Sequence, residues 1–203
     1  MSDFFELAAS RHSTKIYDPS IKISEDELTQ LLEVAGKAPS AWNLQQWHFL
    51  VFNKEETQQR LLPIAYNQKQ IVEASAVICI LGDLEGNKHI DPVFDPGVSA
   101  GELTPELKEI LANQIQGAYN RPEYPRDAAI LNSSLAAMQL MLAAKATGWD
   151  TCPIGGFNVN ALISEFQISD RYLPTMLITI GKPLKAARAT DRLPIDQLIT
   201  FAK

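Results

Sequence analysis

The sequence predicts an α+β sandwich folded as one domain over residues 1–203, and three observations carry that expectation. Short apolar runs rich in β-forming residues stand far apart along the chain. The segments between them mostly show helical periodicity. The resulting order is helix, helix, strand, helix, strand, two helices, strand, which lacks the regular alternation of a doubly wound sheet. A chain of 203 residues is long enough to bury a substantial core.

Asp3 to Ala9 has the pattern of a first helix, ending where RHSTK (residues 11–15) begins. SEDELTQLLEVAGKAP, residues 24–39, predicts the second. Ser24 and Glu27 are spaced as a capping box, Leu28, Leu31, Leu32 and Ala35 recur at helical intervals, and Gly36 and Pro39 end it. WHFLVF (47–52) and AVICILGD (from Ala76) are continuous apolar runs, as expected of buried strands. Residues 83–101 are rich in Gly, Pro and Asp and predict a long loop, the kind of segment that serves as a lid or a binding edge. Leu103 to Tyr119 predicts a polar amphipathic helix. About Arg126 to Thr147 predicts another that is apolar on most of its circumference and closed by Gly148. Such a helix needs cover on several sides, which places it centrally and at a boundary between two copies of the chain. PTMLITIGKP (174–183) is a third strand pattern, followed by the basic stretch KAARATDRLP and a last apolar stretch, IDQLITF.

Eighteen Lys and Arg face 24 Asp and Glu, a formal net charge of −6. That balance disfavours nucleic acid and anionic membrane as partners, because both need a basic surface. Any anion site must be local. The N-terminus MSDFFELAAS lacks a basic-then-apolar signal pattern, and no apolar run reads as long enough to span a bilayer, so the cytoplasm is the expected location. Cys79 and Cys152 are the two cysteines and read as separate reduced thiols. His12, His48 and His89 lack close metal-ligand spacing, so no metal is expected.

Four segments carry composition that packing does not demand. RHSTK combines a guanidinium fork, an ammonium and hydroxyls, which suit a phosphate dianion, although alone it reads as a solvated turn. APSAWNLQQWHF (38–49) offers Pro39, Ser40, Asn43 and Gln45 between a capped helix and a strand, suited to the polar edge of a heterocycle or simply to a connection. TCPIGGF (151–157) lets backbone approach a flat ligand at Gly155-Gly156, or makes a tight turn. RATDRLP places Arg188 and Arg192 where they could complete a phosphate site. Cys152 as a nucleophile would need a histidine brought near by folding, and nothing local marks it as activated.

Together and in this order, these segments resemble the FMN-dependent nitroreductase family, from about Phe4 to Pro194. RHSTK is similar to its phosphate motif, APSAWNLQQWHF to A-P-S-x-x-N-x-Q-P-W-x-F, AYNQKQIVEASAVICI (65–80) to its Asn-containing helix before a strand, TCPIGGF to its flavin-edge loop and DRLP to its late arginine. The resemblance implies a three-layer α/β/α sandwich with a mainly antiparallel sheet, an intertwined homodimer, and FMN as cofactor. It places the phosphate and ribityl end of FMN on Arg11, His12, Ser13, Lys15, Arg188 and Arg192. It places the flavin ring against Asn67, Gln70, Pro153, Ile154 and the Gly155 and Gly156 amides beside N5 and O4. Pro39, Ser40, Ala41, Asn43 and Gln45 would come from the partner subunit. No side chain is implied as catalytic. The implied chemistry is ping-pong hydride transfer from NADH or NADPH through the flavin to nitroaromatics, quinones or similar small acceptors. A specialised flavin reaction (dehalogenation, dihydro-heterocycle oxidation, flavin breakdown) and a flavin-binding module with little turnover are the competing readings. Gln46 replaces the family's Pro, and Gln70, Gly155 and Thr190 stand where some members carry Lys, an acid and a second cation.

Overall fold

A computed structural model describes residues 4–202. Helices α1 (Phe4–Ser10) and α2 (Glu25–Ala35) precede strand β1 (Trp47–Phe52), and α3 (Glu55–Ile64) and α4 (Gln70–Glu73) lead into β2 (Ala76–Asp83). Helices α5 (Ile90–Ser99), α6 (Pro105–Tyr119) and α7 (Tyr124–Ala146) follow, then β3 (Asp150–Ile154), α8 (Val159–Phe166) and β4 (Tyr172–Gly181). The strands form one sheet in the order β1-β2-β4-β3, antiparallel throughout.

Strand β2 is buried at all eight positions, and its alternation divides the core into two. Ala76, Ile78 and Ile80 join Leu28, Leu31 and Ala35 of α2 and Ala137, Leu140, Met141 and Ala144 of α7. Val77, Cys79 and Leu81 join Leu61 and Ile64 of α3, Ile71 of α4 and Leu162 of α8 on the other face. An α/β/α three-layer sandwich is the result. Gly82 lets α7 close on the sheet, since a Cβ there would lie 2.9 Å from Ala129. The Ser24–Glu27 capping box forms as expected.

Several expectations need correction. Residues 83–101 are mostly helical: a 3₁₀ turn at Gly86–His89 runs into α5 despite Pro92 and Pro96. Buried Ile90, packed with Leu44 and Ile115, and Lys108, paired with Asp91 and Asp95 at 2.6 and 2.5 Å, hold that helix against α6. Thr151–Ile154, read as part of a loop, is strand, and its Pro153 is tolerated because β3 lies at the sheet edge. Helix α7 has the length and composition to cross a membrane, contrary to the sequence reading, but half of that window is buried against the protein. The first-helix expectation included Asp3, which lies outside the described residues.

At the end of β2 the Asp83 carboxylate is fully buried and accepts from Arg171 Nε and Nη2 at 2.8 and 2.6 Å. Removing one partner of such a pair strands the other charge, so Arg171→Ala should lower the unfolding free energy by about 3–5 kcal/mol. Lys88→Ala removes only an exposed ion pair with Glu85 and should cost under about 1 kcal/mol. Urea unfolding midpoints of the two variants read the difference.

Candidate functional site

The RHSTK segment is anchored by alternate residues. Thr14 is fully buried; its N–H donates to Thr151 O at 3.0 Å and its hydroxyl to Asp150 Oδ2 at 2.6 Å, while Ser13 bridges to Thr151 of β3. Asp150 is offset by Lys145 Nζ at 2.8 Å, at the end of α7. Three residues on, Tyr17 is 1% exposed, and its hydroxyl pairs with Thr179 Oγ1 at 2.8 Å. Burial pushes that phenol well above its ordinary range. Gly181 is needed beside it, because a Cβ there would sit 2.7 Å from the Tyr17 ring. With Thr14 and Tyr17 turned inward, Ser13, Lys15 and Ile16 are left outward on a fixed backbone.

They open onto a cavity of about 640 Å³ lined also by Arg11, His12, Cys152 and Pro153, and by Lys185, Arg188, Thr190 and Arg192 of the C-terminal stretch. Five cationic side chains therefore surround one space in a chain of net charge −6. None of Arg11, Lys15, Lys185, Arg188 and Arg192 pairs with a carboxylate among the described residues. Arg192 spends Nη1 on Thr190 O and Oγ1 and on Asp191 O at 2.8–3.1 Å, which shapes the tail around it. The cavity thus unites the expected Arg11, His12, Ser13, Lys15, Pro153, Arg188 and Arg192. Lys185 was missed as a site residue, although it belongs to the same basic stretch. At the cavity floor, burial pushes the Cys152 thiol up, against the pull of Lys15, Ser13 and Arg11, so it stays a protonated thiol and a poor nucleophile at neutral pH.

After β3 the chain passes through exposed Gly155 and Gly156. Gly82, Gly86 and Gly181 are explained by close packing, and Gly101 and Gly148 by positive φ. Neither reason applies to Gly155 or Gly156, where a Cβ would meet nothing within 4 Å. Their open backbone leaves room for something outside the chain. Gln68, which the sequence reading passed over, ties this loop to the turn before α4: its Nε2 donates to Gly156 O at 2.9 Å and to Ala65 O at 3.0 Å. Asn67 stands exposed on that turn in the left-handed region at φ 56°. Gln70 is buried, with Nε2 donating to Gln68 Oε1 at 3.1 Å, and Ile154 is buried in the core. Those two residues therefore support the loop from behind.

Residues 39–45 lie outside the cationic cavity. Pro39 borders an open apolar groove with Phe4, Leu7, Leu135, Met138 and Leu142. Asn132 Oδ1 accepts from Ala41 N–H at 2.9 Å, and Ser40 Oγ accepts from Gln45 N–H at 2.9 Å. Within this turn Trp42, Asn43 and Gln45 have φ of 52°, 56° and 50°. Such left-handed conformations cost of order 1–3 kcal/mol each outside glycine and persist only where the surroundings hold them. Gln46, in place of the expected Pro, is fully buried beneath Gly86, where a Cβ would lie 2.5 Å from both Gln46 Cγ and Tyr119 Oη.

Comparison with known proteins identifies the family. The family model described as "Nitroreductase family" matches residues 8–182. A Bacillus subtilis (strain 168) protein provisionally named NAD(P)H nitroreductase YodC is 53% identical over 201 residues, covering 99% of this chain and 100% of its own. The CLA biosynthesis enone reductase of Lactiplantibacillus plantarum is 32% identical, with 94% and 90% covered. An Exiguobacterium sibiricum protein, described provisionally as a nitroreductase and crystallised in complex with FMN, superposes with a TM-score of 0.92 at 38% identity, covering 100% of this chain and 98% of its own. With the family model covering most of its length and these relatives nearly all of it, the chain belongs to the nitroreductase family.

Proposed function

We propose that this protein is an FMN-dependent oxidoreductase, one domain over residues 1–203, that passes a hydride from NADH or NADPH to nitroaromatics, quinones or similar electron-poor acceptors. The single observation that carries the reading is the cavity of five cations without carboxylate partners among the described residues, which fits a phosphate dianion in an otherwise acidic protein. The open Gly155-Gly156 backbone supports a flat ring beside it. When bound, FMN would supply the redox chemistry, accepting a hydride and handing it on.

The protein's own part is binding and orientation. Arg11, Lys15, Arg188 and Arg192, with Lys185, would hold the phosphate, and Ser13 would add a hydroxyl. Thr14 and Tyr17 keep the Arg11 to Lys15 part of that array fixed, so little reorganisation of that segment accompanies binding. The Gly155 and Gly156 amides and Asn67 would face the ring edge, braced by Gln68 and Gln70 from behind. No side chain in this arrangement needs to act as acid, base or nucleophile.

The proposal includes a homodimer. Leu131, Leu135 and Met138 form an exposed apolar stripe on α7, and Leu193, Ile195, Leu198 and Phe201 are exposed along the C-terminal segment. Apolar surface of this extent calls for cover. A second copy would supply it and would bring its own Pro39, Ser40, Ala41, Asn43 and Gln45 toward the ring. The cytoplasmic location expected from the sequence suits an enzyme fed by NAD(P)H. A second reading, reduction of a double bond conjugated to a carbonyl, is favoured by the 32% identity to an enone reductase. Relative kcat/KM on menadione, a nitroaromatic and an α,β-unsaturated ketone separates the two.

Each charge-assisted phosphate contact is worth roughly 1.5–3 kcal/mol, so Arg11→Ala should weaken FMN binding by about 10- to 100-fold in a fluorescence titration of the apoprotein. An unchanged affinity would refute the phosphate assignment.

If nicotinamide and acceptor occupy one small site in turn, initial rates with each varied at fixed levels of the other should give parallel double-reciprocal lines. Anaerobic NAD(P)H should bleach the visible absorbance before any acceptor is added. Cys152→Ala should retain most of the activity. Intersecting lines, or loss of activity on removing the thiol, would count against this mechanism.

A further inference from the structure

His89 sits between the strained turn at residues 41–45 and the buried pair at the end of β2. Its Nδ1 is 2.7 Å from Leu44 O, and its Nε2 is 2.9 Å from Arg171 Nη2. A guanidinium can only donate, so Nε2 must accept. The ring hydrogen is then on Nδ1, where it is donated to the Leu44 carbonyl. Asp83 Oδ2 lies farther from Nε2, at 3.4 Å, so the tautomer is set by Arg171, which is itself fixed by both oxygens of Asp83 at 2.8 and 2.6 Å. Asp83 in turn donates its N–H to Gln46 O at 3.1 Å, so one network grips the turn at both Leu44 and Gln46.

Leu44 is the pivot of that turn. Its side chain is fully buried with Ile90 and Ile115, and its neighbours Asn43 and Gln45 both hold left-handed φ. Its N–H donates to Ala41 O at 3.1 Å, a bond local to the turn. The His89 contact is what ties its carbonyl to another part of the molecule.

We propose that His89 is a positioning residue for the cofactor: as the neutral Nδ1–H tautomer it fixes the Leu44 carbonyl and so presents Asn43 and Gln45 to the FMN held by a second copy. The inference rests on the reading above that these two residues face FMN.

Three full-length proteins test it: wild type, His89→Ala and His89→Asn. The Asn amide nitrogen replaces Nδ1 as donor to Leu44 but removes the Nε2 acceptor of Arg171 Nη2, which keeps only Asp83 Oδ2. Two quantities are read on each apoprotein: hydrogen exchange of the Asn43, Leu44, Gln45 and Trp47 amides, and the FMN dissociation constant. In His89→Ala these amides should exchange faster and the dissociation constant should rise about 10-fold, with His89→Asn restoring both toward wild type. Unchanged exchange in His89→Ala would overturn the proposal, because the turn would then hold without the imidazole. Equal impairment in both variants would also overturn it, placing the role at Arg171 rather than Leu44. Faster exchange, restored by Asn, with unchanged FMN affinity would instead reject the assignment of Asn43 and Gln45 to the cofactor, and the proposal with it.

Discussion

Five like charges around one cavity repel one another, and among the described residues that line it there is no carboxylate. Two buried anchors, Thr14 bonded to β3 and Tyr17 bonded to β4, fix the segment that carries Arg11 and Lys15. Asp150, beside the anchored segment, is occupied by Lys145 and the Thr14 hydroxyl, so its charge is spent on the brace. That arrangement stores unfavourable repulsion which a bound dianion relieves, the logic by which a net-negative protein concentrates a local anion site.

The sheet makes this possible. Because β2 is covered on both faces, helices on opposite sides are tied to a common rigid layer. The edge of that layer, β3 beside β4, carries the anchored segment, the cavity floor at Cys152 and the glycine loop in immediate succession. The other end of β2 carries the Asp83–Arg171–His89 network and the strained turn. The parts proposed to hold the phosphate and the ring edge thus sit at one end of the sheet, and the segment proposed to face a second copy at the other.

Much of this is legible in the sequence because the signals are local. The capping box of α2 and the apolar runs of β1 and β2 coincide with the elements observed. RHSTK and RATDRLP could be recognised as candidate anion binders from residue type, but only folding shows that they share a cavity. Helix α5 was hidden because Pro, Gly and Asp mark loops, whereas tertiary contacts by Ile90 and Lys108 override that preference. Strand β3 was hidden by its shortness and by Pro153, which an edge position permits. Gln68 and His89 carry no local signal at all. Their roles arise from contacts 88 and 45 residues away along the chain.

The cationic cavity is proposed to recognise a phosphate that accompanies a flavin. The most direct measurement is a paired titration of the apoprotein with FMN and with riboflavin, which differ only in that phosphate. Two or more charge-assisted contacts predict that FMN binds at least about 100-fold more tightly. Equal affinity for the two flavins would show that the cavity does not bind the phosphate.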